Sequence, residues 1–191
     1  MDAPNVLYIP DFLPEPNLLL SRFLETVTTW DTRIQARRTA SFGVPYNYSG
    51  MEYEQVPIPT LLEPVIEKLH ALLGFAPNNC LANYYQDGTS RMGFHKDDTA
   101  GLEPGTGVAI LSLGAERTLW FRLADHRSHR VGYPLVSGSL LYMPPEVQDH
   151  WQHGVPRDEN VTTERVSLTF RCCTPPRIAT GGAFEKPEGR G

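Results

Sequence analysis

The strongest constraint on the fold lies in the second half of the chain, where strand-like runs are short and closely punctuated. After Pro77, eight stretches rich in β-branched, aromatic and aliphatic residues follow one another: residues 80–85, 91–95, 107–113, 118–123, 130–134, 139–143, 150–154 and 165–171. Gly, Pro and Asp separate them. Turn signals at this spacing point to an all-β sandwich or barrel. Ahead of them, residues 6–12 read as a short strand. Residues 17–29 place Leu20, Phe23, Leu24 and Val27 at helical spacing, and residues 60–73 place Leu61, Leu62, Val65, Ile66, Leu69, Leu72 and Leu73 on one helical face. Thr60 and Glu63 have the spacing of a capping box, and Gly74 marks a stop. The expected fold is mainly β (α+β): a double-stranded β-helix, or jelly roll, with two N-terminal helices buttressing one sheet.

The 191 residues suit one domain. Residues 1–77 form its N-terminal part and 78–173 the jelly-roll core. Residues 174–191, rich in Pro, Gly and charge, read as a flexible tail. No apolar run approaches the roughly 20 residues that span a bilayer, so no membrane partner is expected. Met1–Pro4 lacks the basic and apolar regions of a secretory signal. The expected location is cytoplasmic, or nuclear in a eukaryote, and the expected state is a monomer. Cys80, Cys172 and Cys173 make neither a disulfide framework nor a C-x-x-C zinc pattern. The formal net charge of −5 argues against coating nucleic acid by charge alone. A local basic groove stays open to Arg37, Arg38, Arg91, Lys96, Arg117 and Arg122, if the fold gathers them.

The chemistry centres on His95 and Asp97, two residues apart. In an extended segment they point to one face. With a second imidazole, His153, they make the two-His, one-carboxylate face that holds non-haem Fe(II) and leaves positions open. The last strand alternates strictly: Val166, Leu168 and Phe170 on one side, Arg165, Ser167, Thr169 and Arg171 on the other. A half-buried strand with a solvent face would read the same way. Were the polar face to look into a barrel, its two guanidiniums would require anions, and a small dicarboxylate matches them. Asn83 and Tyr85 share a strand face and suit the same anion, or else serve edge hydrogen bonding. Residues 30–50 interleave Arg with Tyr and Phe. That suits phosphate holding and base stacking, or a polar hairpin with tyrosines at a sheet edge.

Taken together, Asn83-Tyr84-Tyr85-Gln86-Asp87-Gly88, His95-Lys96-Asp97-Asp98, Leu111-Ser112-Leu113-Gly114, Gly138-Ser139-Leu140-Leu141, His150-Trp151-Gln152-His153 and Leu168-Thr169-Phe170-Arg171 resemble the AlkB family. These are Fe(II)/2-oxoglutarate dioxygenases that oxidatively dealkylate nucleic-acid bases. Residues 37–50 add a match to the family's base-recognition segment, which makes 1–77 a helical buttress plus a lid. The resemblance implies that His95, Asp97 and His153 ligate Fe(II), and that Asn83, Tyr85, Arg165, Thr169 and Arg171 hold 2-oxoglutarate. It further implies that Tyr48, Asp98 and Arg38 contact the substrate, with O2 as co-substrate and alkylated nucleic acid as partner. Formaldehyde, succinate and CO2 would be the products. The chain departs from the family in two places. Residues 30–38 are too short for the wedge-bearing hairpin of duplex-acting relatives, so a single-stranded substrate is expected. Thr99 follows Asp98 where several relatives carry an acid. Two other readings remain: the same oxidative chemistry on a small molecule or a protein side chain, and a jelly-roll binding module without redox chemistry.

Overall fold

The structure is a computed structural model and describes residues 3–46 and 53–175. Ten strands form two antiparallel sheets. The larger sheet has the order β1 (Leu7–Ile9), β8 (Leu140–Met143), β5 (Val108–Gly114), β10 (Arg165–Arg171), β3 (Asn79–Tyr85), β2 (Arg38–Gly43). The smaller has β4 (Met92–His95), β9 (Trp151–Val155), β6 (Arg117–Leu123), β7 (Arg130–Leu135). Two helices, α1 (Pro16–Thr26) and α2 (Glu63–Leu73), back the larger sheet, and a one-turn helix, α3 (Val147–His150), leads into β9.

The alternation of β10 fixes the layering. Val166, Leu168 and Phe170 enter an apolar cluster with Phe23 of α1 and with Leu62, Val65 and Leu69 around α2. Each of these side chains is fully or almost fully buried, a gain of roughly 1.5–3 kcal/mol apiece. Residues 165, 167, 169 and 171 therefore face the smaller sheet. A second cluster fills the space between the sheets, joining Tyr85, Ile110 and Leu141 to Leu119, Phe121 and Trp151. All seven residues of β10 are buried, which removes the reading of a strand with one solvent face. β10 sits between β3 and β5, with Arg165 opposite Tyr85 and Ser167 opposite both Asn83 and Ser112.

Several local expectations are corrected. The first strand stops at Ile9 rather than Phe12, because Pro10 brings no N–H to a ladder. Thr60 and Glu63 form no capping box: neither start makes a side-chain cap bond. Thr60 instead opens a 3₁₀ turn, Thr60–Leu62, and Pro64 occupies the first turn of α2. Gly74 ends α2 in the left-handed conformation at φ 80°. Residues 38–43 are one edge strand pairing with β3, and an Asp31–Thr39 bridge folds the preceding segment back on it. No described helix is long and apolar enough to cross a membrane. The tail expected at 174–191 lies, but for its first two residues, outside the described residues.

Candidate active site

Strand register brings the imidazoles together. His95 ends β4, His153 lies in β9, and the two are direct cross-strand partners. Their ring centroids are 4.4 Å apart. Asp97 follows two residues after His95, where the chain leaves β4, and its backbone N–H donates to Gln148 Oε1 of α3 at 2.9 Å. That bond fixes the turn, so that Asp97 Oδ1 lies 3.9 Å from His95 Nε2 and Oδ2 lies 3.6 Å from His153 Nε2. One ligand atom from each of the three residues falls within 4.8 Å of the others. His95 Nδ1 meets the Gly93 carbonyl at 2.9 Å, which holds the proton on Nδ1 and turns Nε2 to the cluster.

Protonation suits a metal. Burial lowers His153 to about 4 and also lowers His95, so both rings are neutral at pH 7. Burial pushes Asp97 up, but the Arg171 guanidinium, by charge and a hydrogen bond, together with the imidazoles when protonated, outweighs it and holds the carboxyl below its usual range. Neutral imidazoles and an ionised carboxylate are the ligating forms.

The polar face of β10 and the inward face of β3 line the adjoining space. Arg171 Nη2 donates to Asp97 Oδ1 at 2.9 Å, and its guanidinium carbon lies 4.1 Å from the Tyr46 ring centroid. Arg165 Nη2 donates to Ser112 Oγ at 2.8 Å and sits 5.0 Å from the Tyr85 ring centroid. Arg37 Nε donates to Asn83 Oδ1 at 2.7 Å. Among the described residues, several buried polar atoms here have no hydrogen-bond partner: Asp97 Oδ2, Tyr85 Oη, and Nε and Nη1 of both Arg165 and Arg171. An unmade bond of this kind costs about 1–3 kcal/mol, more when the group is charged. A divalent cation on Asp97 Oδ2 and a small dicarboxylate on the five donors would satisfy the set. The residues present therefore fit Fe(II) and 2-oxoglutarate. Thr169 lines the same cavity with Leu81, Met92 and Ile110.

On the substrate side, Asp98 is exposed at the rim. Its backbone N–H donates to Tyr46 Oη, which donates back to the Asp98 carbonyl, both at 3.0 Å. Burial pushes the Tyr46 phenol up to about 12, so it keeps the proton it donates. Tyr48 lies outside the described residues. Of the two adjacent arginines, Arg37 reaches the metal cavity, whereas Arg38 pairs with Tyr84 in register on the helix-side face. The six candidates for a basic groove divide. Arg117 is buried and donates to the carbonyls of Asp87, Ser90 and Pro156. Lys96 donates to the Asp149 carbonyl at 2.6 Å. Arg122 stacks 4.2 Å from the Phe94 ring centroid, on the sheet face away from His95. Arg37, Arg38 and Arg91 do gather in one cleft. Gln148 is a site residue that sequence reasoning did not assign, and Tyr46 and Arg37, placed there only in the base-recognition segment, also reach the metal site. A larger cleft of about 820 Å³ beside the end of α1 gathers no metal-binding set among the described residues.

Known proteins resemble this chain in sequence and in fold. Residues 7–171 match the 2OG-Fe(II) oxygenase superfamily. The mouse protein named DNA oxidative demethylase ALKBH2 is 36% identical over 149 residues, covering 73% of this chain and 62% of that protein. The rat alpha-ketoglutarate-dependent dioxygenase alkB homolog 3 is 33% identical over 200 residues, covering 93% and 67%. The chain thus spans less than two thirds of the length of the ALKBH2 relatives it matches. A solved structure described as that of OsALKBH1 superposes with a TM-score of 0.64 over 88% of this chain and 98% of the other, at 17% identity, which speaks for the fold. With a His-Asp-His cluster and two cavity-facing arginines set in a matching fold, the chain belongs to the 2OG-Fe(II) oxygenase superfamily and, within it, to the AlkB family.

Proposed function

We propose that this chain is an Fe(II)/2-oxoglutarate-dependent dioxygenase that removes N-alkyl groups such as those of 1-methyladenine and 3-methylcytosine from nucleic acid. The observation that carries the reading is an Asp97 carboxylate oxygen set between two neutral imidazoles beside Arg171, with Arg165 buried on the same face of β10; among the described residues that oxygen and two nitrogens of each guanidinium have no hydrogen-bond partner. The names of the relatives support the oxidative and nucleic-acid parts of it. Bound there, Fe(II), O2 and 2-oxoglutarate would supply the oxidant that hydroxylates the N-linked carbon, which is then lost as formaldehyde with succinate and CO2 as co-products.

The chain's own residues hold and aim the reactants. His95, Asp97 and His153 supply three ligands on one side and leave the other open. Arg165 and Arg171 fork onto the carboxylates of the co-substrate, and Tyr85 and Asn83 orient it. Tyr46 clamps the backbone of Asp98 at the rim, fixing where a carboxylate meets an incoming cationic base. A base stacked in a duplex cannot reach this cavity, so it arrives flipped or unpaired. Residues 31–39 close as a tight turn, with Arg33 paired to Asp31 at 2.5 Å and Asp31 bridged to Thr39. No wedge-bearing hairpin stands there, which supports a single-stranded substrate. The test is formaldehyde release from single- and double-stranded oligonucleotides carrying either lesion. Release from the single-stranded form is expected. Release from free methylated amino acids or small metabolites, with none from oligonucleotides, would move the substrate elsewhere.

A further inference from the structure

The face of the larger sheet that looks toward the smaller one carries a row of small polar side chains. Ser167 stands opposite Ser112 on one side and Asn83 on the other. Ser139, just before β8, extends the row by one strand, and a bulge sets its place. Gly138, at φ 86°, donates its N–H to the Ser112 carbonyl at 2.7 Å, and the Ser112 N–H donates to the Ser139 carbonyl at 3.0 Å. Gly138 and Ser139 together therefore face Ser112. Along the strand Ser139 alternates with Leu140, which enters the helix-side cluster, and shares a face with Leu141, which fills the space between the sheets. Ser139, Ser112, Ser167 and Asn83 are all buried.

Arg165 reaches into this row. On β10 it is level with Tyr85 and Gly114, yet its Nη2 donates to Ser112 Oγ at 2.8 Å. Ser112 is level with Ser167, so the Arg165 side chain leans along the strand toward Arg171. Arg171 stands at the metal end, bonded to Asp97, and Asn83 of the row lines the metal cavity. The row thus crosses the sheet where a keto-diacid anchored at the metal would put its far carboxylate. Ser112 Oγ accepts from Arg165 and keeps its own proton to donate. Ser139 Oγ is fully buried and, among the described residues, has no hydrogen-bond partner. A hydroxyl left idle beside a buried guanidinium with idle nitrogens suits an anion that takes both. We propose that Ser139 donates to the far carboxylate of the co-substrate, making the enzyme prefer a keto-diacid to a keto-monoacid and retain succinate through the same bond. The inference rests on the dioxygenase reading above. Succinate keeps the far carboxylate of 2-oxoglutarate and differs only at the keto-acid head, so turnover leaves this contact in place.

The test is anaerobic titration of the Fe(II)-loaded protein with three ligands: 2-oxoglutarate, succinate as its competitor, and 2-oxobutanoate, which has the keto-acid head and no far carboxylate. Ser139→Ala should weaken 2-oxoglutarate and succinate by the same factor, roughly tenfold, as expected for one lost hydrogen bond to a charged group. Its affinity for 2-oxobutanoate should match wild type. The melting midpoint of the metal-free Ala variant should equal or exceed that of wild type, because an idle buried hydroxyl is removed. Ser139→Cys keeps the volume but offers only a weak donor, so it should lose most of the same affinity. Wild-type affinity for both diacids in the Ala variant, an equal loss with 2-oxobutanoate, or full affinity in the Cys variant would overturn the proposal. The dioxygenase reading fails separately, if the wild-type protein itself binds no 2-oxoglutarate under these conditions.

Discussion

Two buried regions of this molecule hold arginines, and they hold them in opposite ways. Arg117, at the start of β6, is 2% exposed and hands its protons to three main-chain carbonyls. Arg165 and Arg171, on β10, are 1% and 3% exposed, yet among the described residues each keeps Nε and Nη1 without a hydrogen-bond partner. Sequence and burial do not distinguish them; partner counts do. A guanidinium that meets main-chain carbonyls from three loops belongs to the fold. One left with idle donors in a closed space is set for a ligand the chain does not itself provide.

The largest effect should separate the two kinds by stability. Arg117→Met strands three carbonyls and should cost about 4 kcal/mol, a fall in melting midpoint of roughly 10 °C, while the folded fraction keeps its 2-oxoglutarate affinity. Scanning calorimetry and co-substrate titration read the two quantities; a weakened titration with an unchanged midpoint would erase the distinction. Acid exposes the neighbouring histidines next. His153 sits at about 4 when folded against 6.5 when unfolded. Its stabilisation of the metal-free protein is complete above pH 6.5 and declines as pH falls toward 4. The loss is on the order of 3 kcal/mol, seen as a falling urea midpoint between those values.

Arg165→Met should behave as the mirror image of Arg117→Met. A buried, half-satisfied charge gives way to an apolar chain, so metal-free stability should stay within about 1 kcal/mol. Affinity for 2-oxoglutarate should drop about 100-fold with the lost charged hydrogen bonds. The smallest effect is indirect. Gln148→Ala removes the bond that sets the Asp97 turn and should weaken Fe(II) binding roughly tenfold, without moving the 2-oxoglutarate constant measured at saturating metal.

Much of this was legible before folding. The eight runs after Pro77 and the strict alternation of residues 165–171 define the sheets and say which side of β10 is polar. His95 and Asp97 declare themselves by spacing. His153 does not, because its partnership with His95 is a cross-strand register, a tertiary fact. The Arg37–Arg38 pair shows the limit most plainly: a shift of one residue in a strand exchanges its faces. Only the observed pairing of Arg38 with Tyr84 shows that Arg37 turns inward. Gln148 rides a four-residue helix, too short to leave a periodic signal. Arg117 looked like a surface cation because nothing in its neighbours marks three carbonyls arriving from distant loops.

The central claim is that the idle donors of β10 and the idle oxygen of Asp97 await one metal–keto-acid pair. Anaerobic addition of Fe(II) and then 2-oxoglutarate tests it directly, by the weak visible charge-transfer band of the chelated pair. One equivalent of each should raise the band in the wild-type protein and in Arg117→Met below its melting range, and Asp97→Ala should show none. A wild-type protein that stays colourless at saturating concentrations of both would contradict the account.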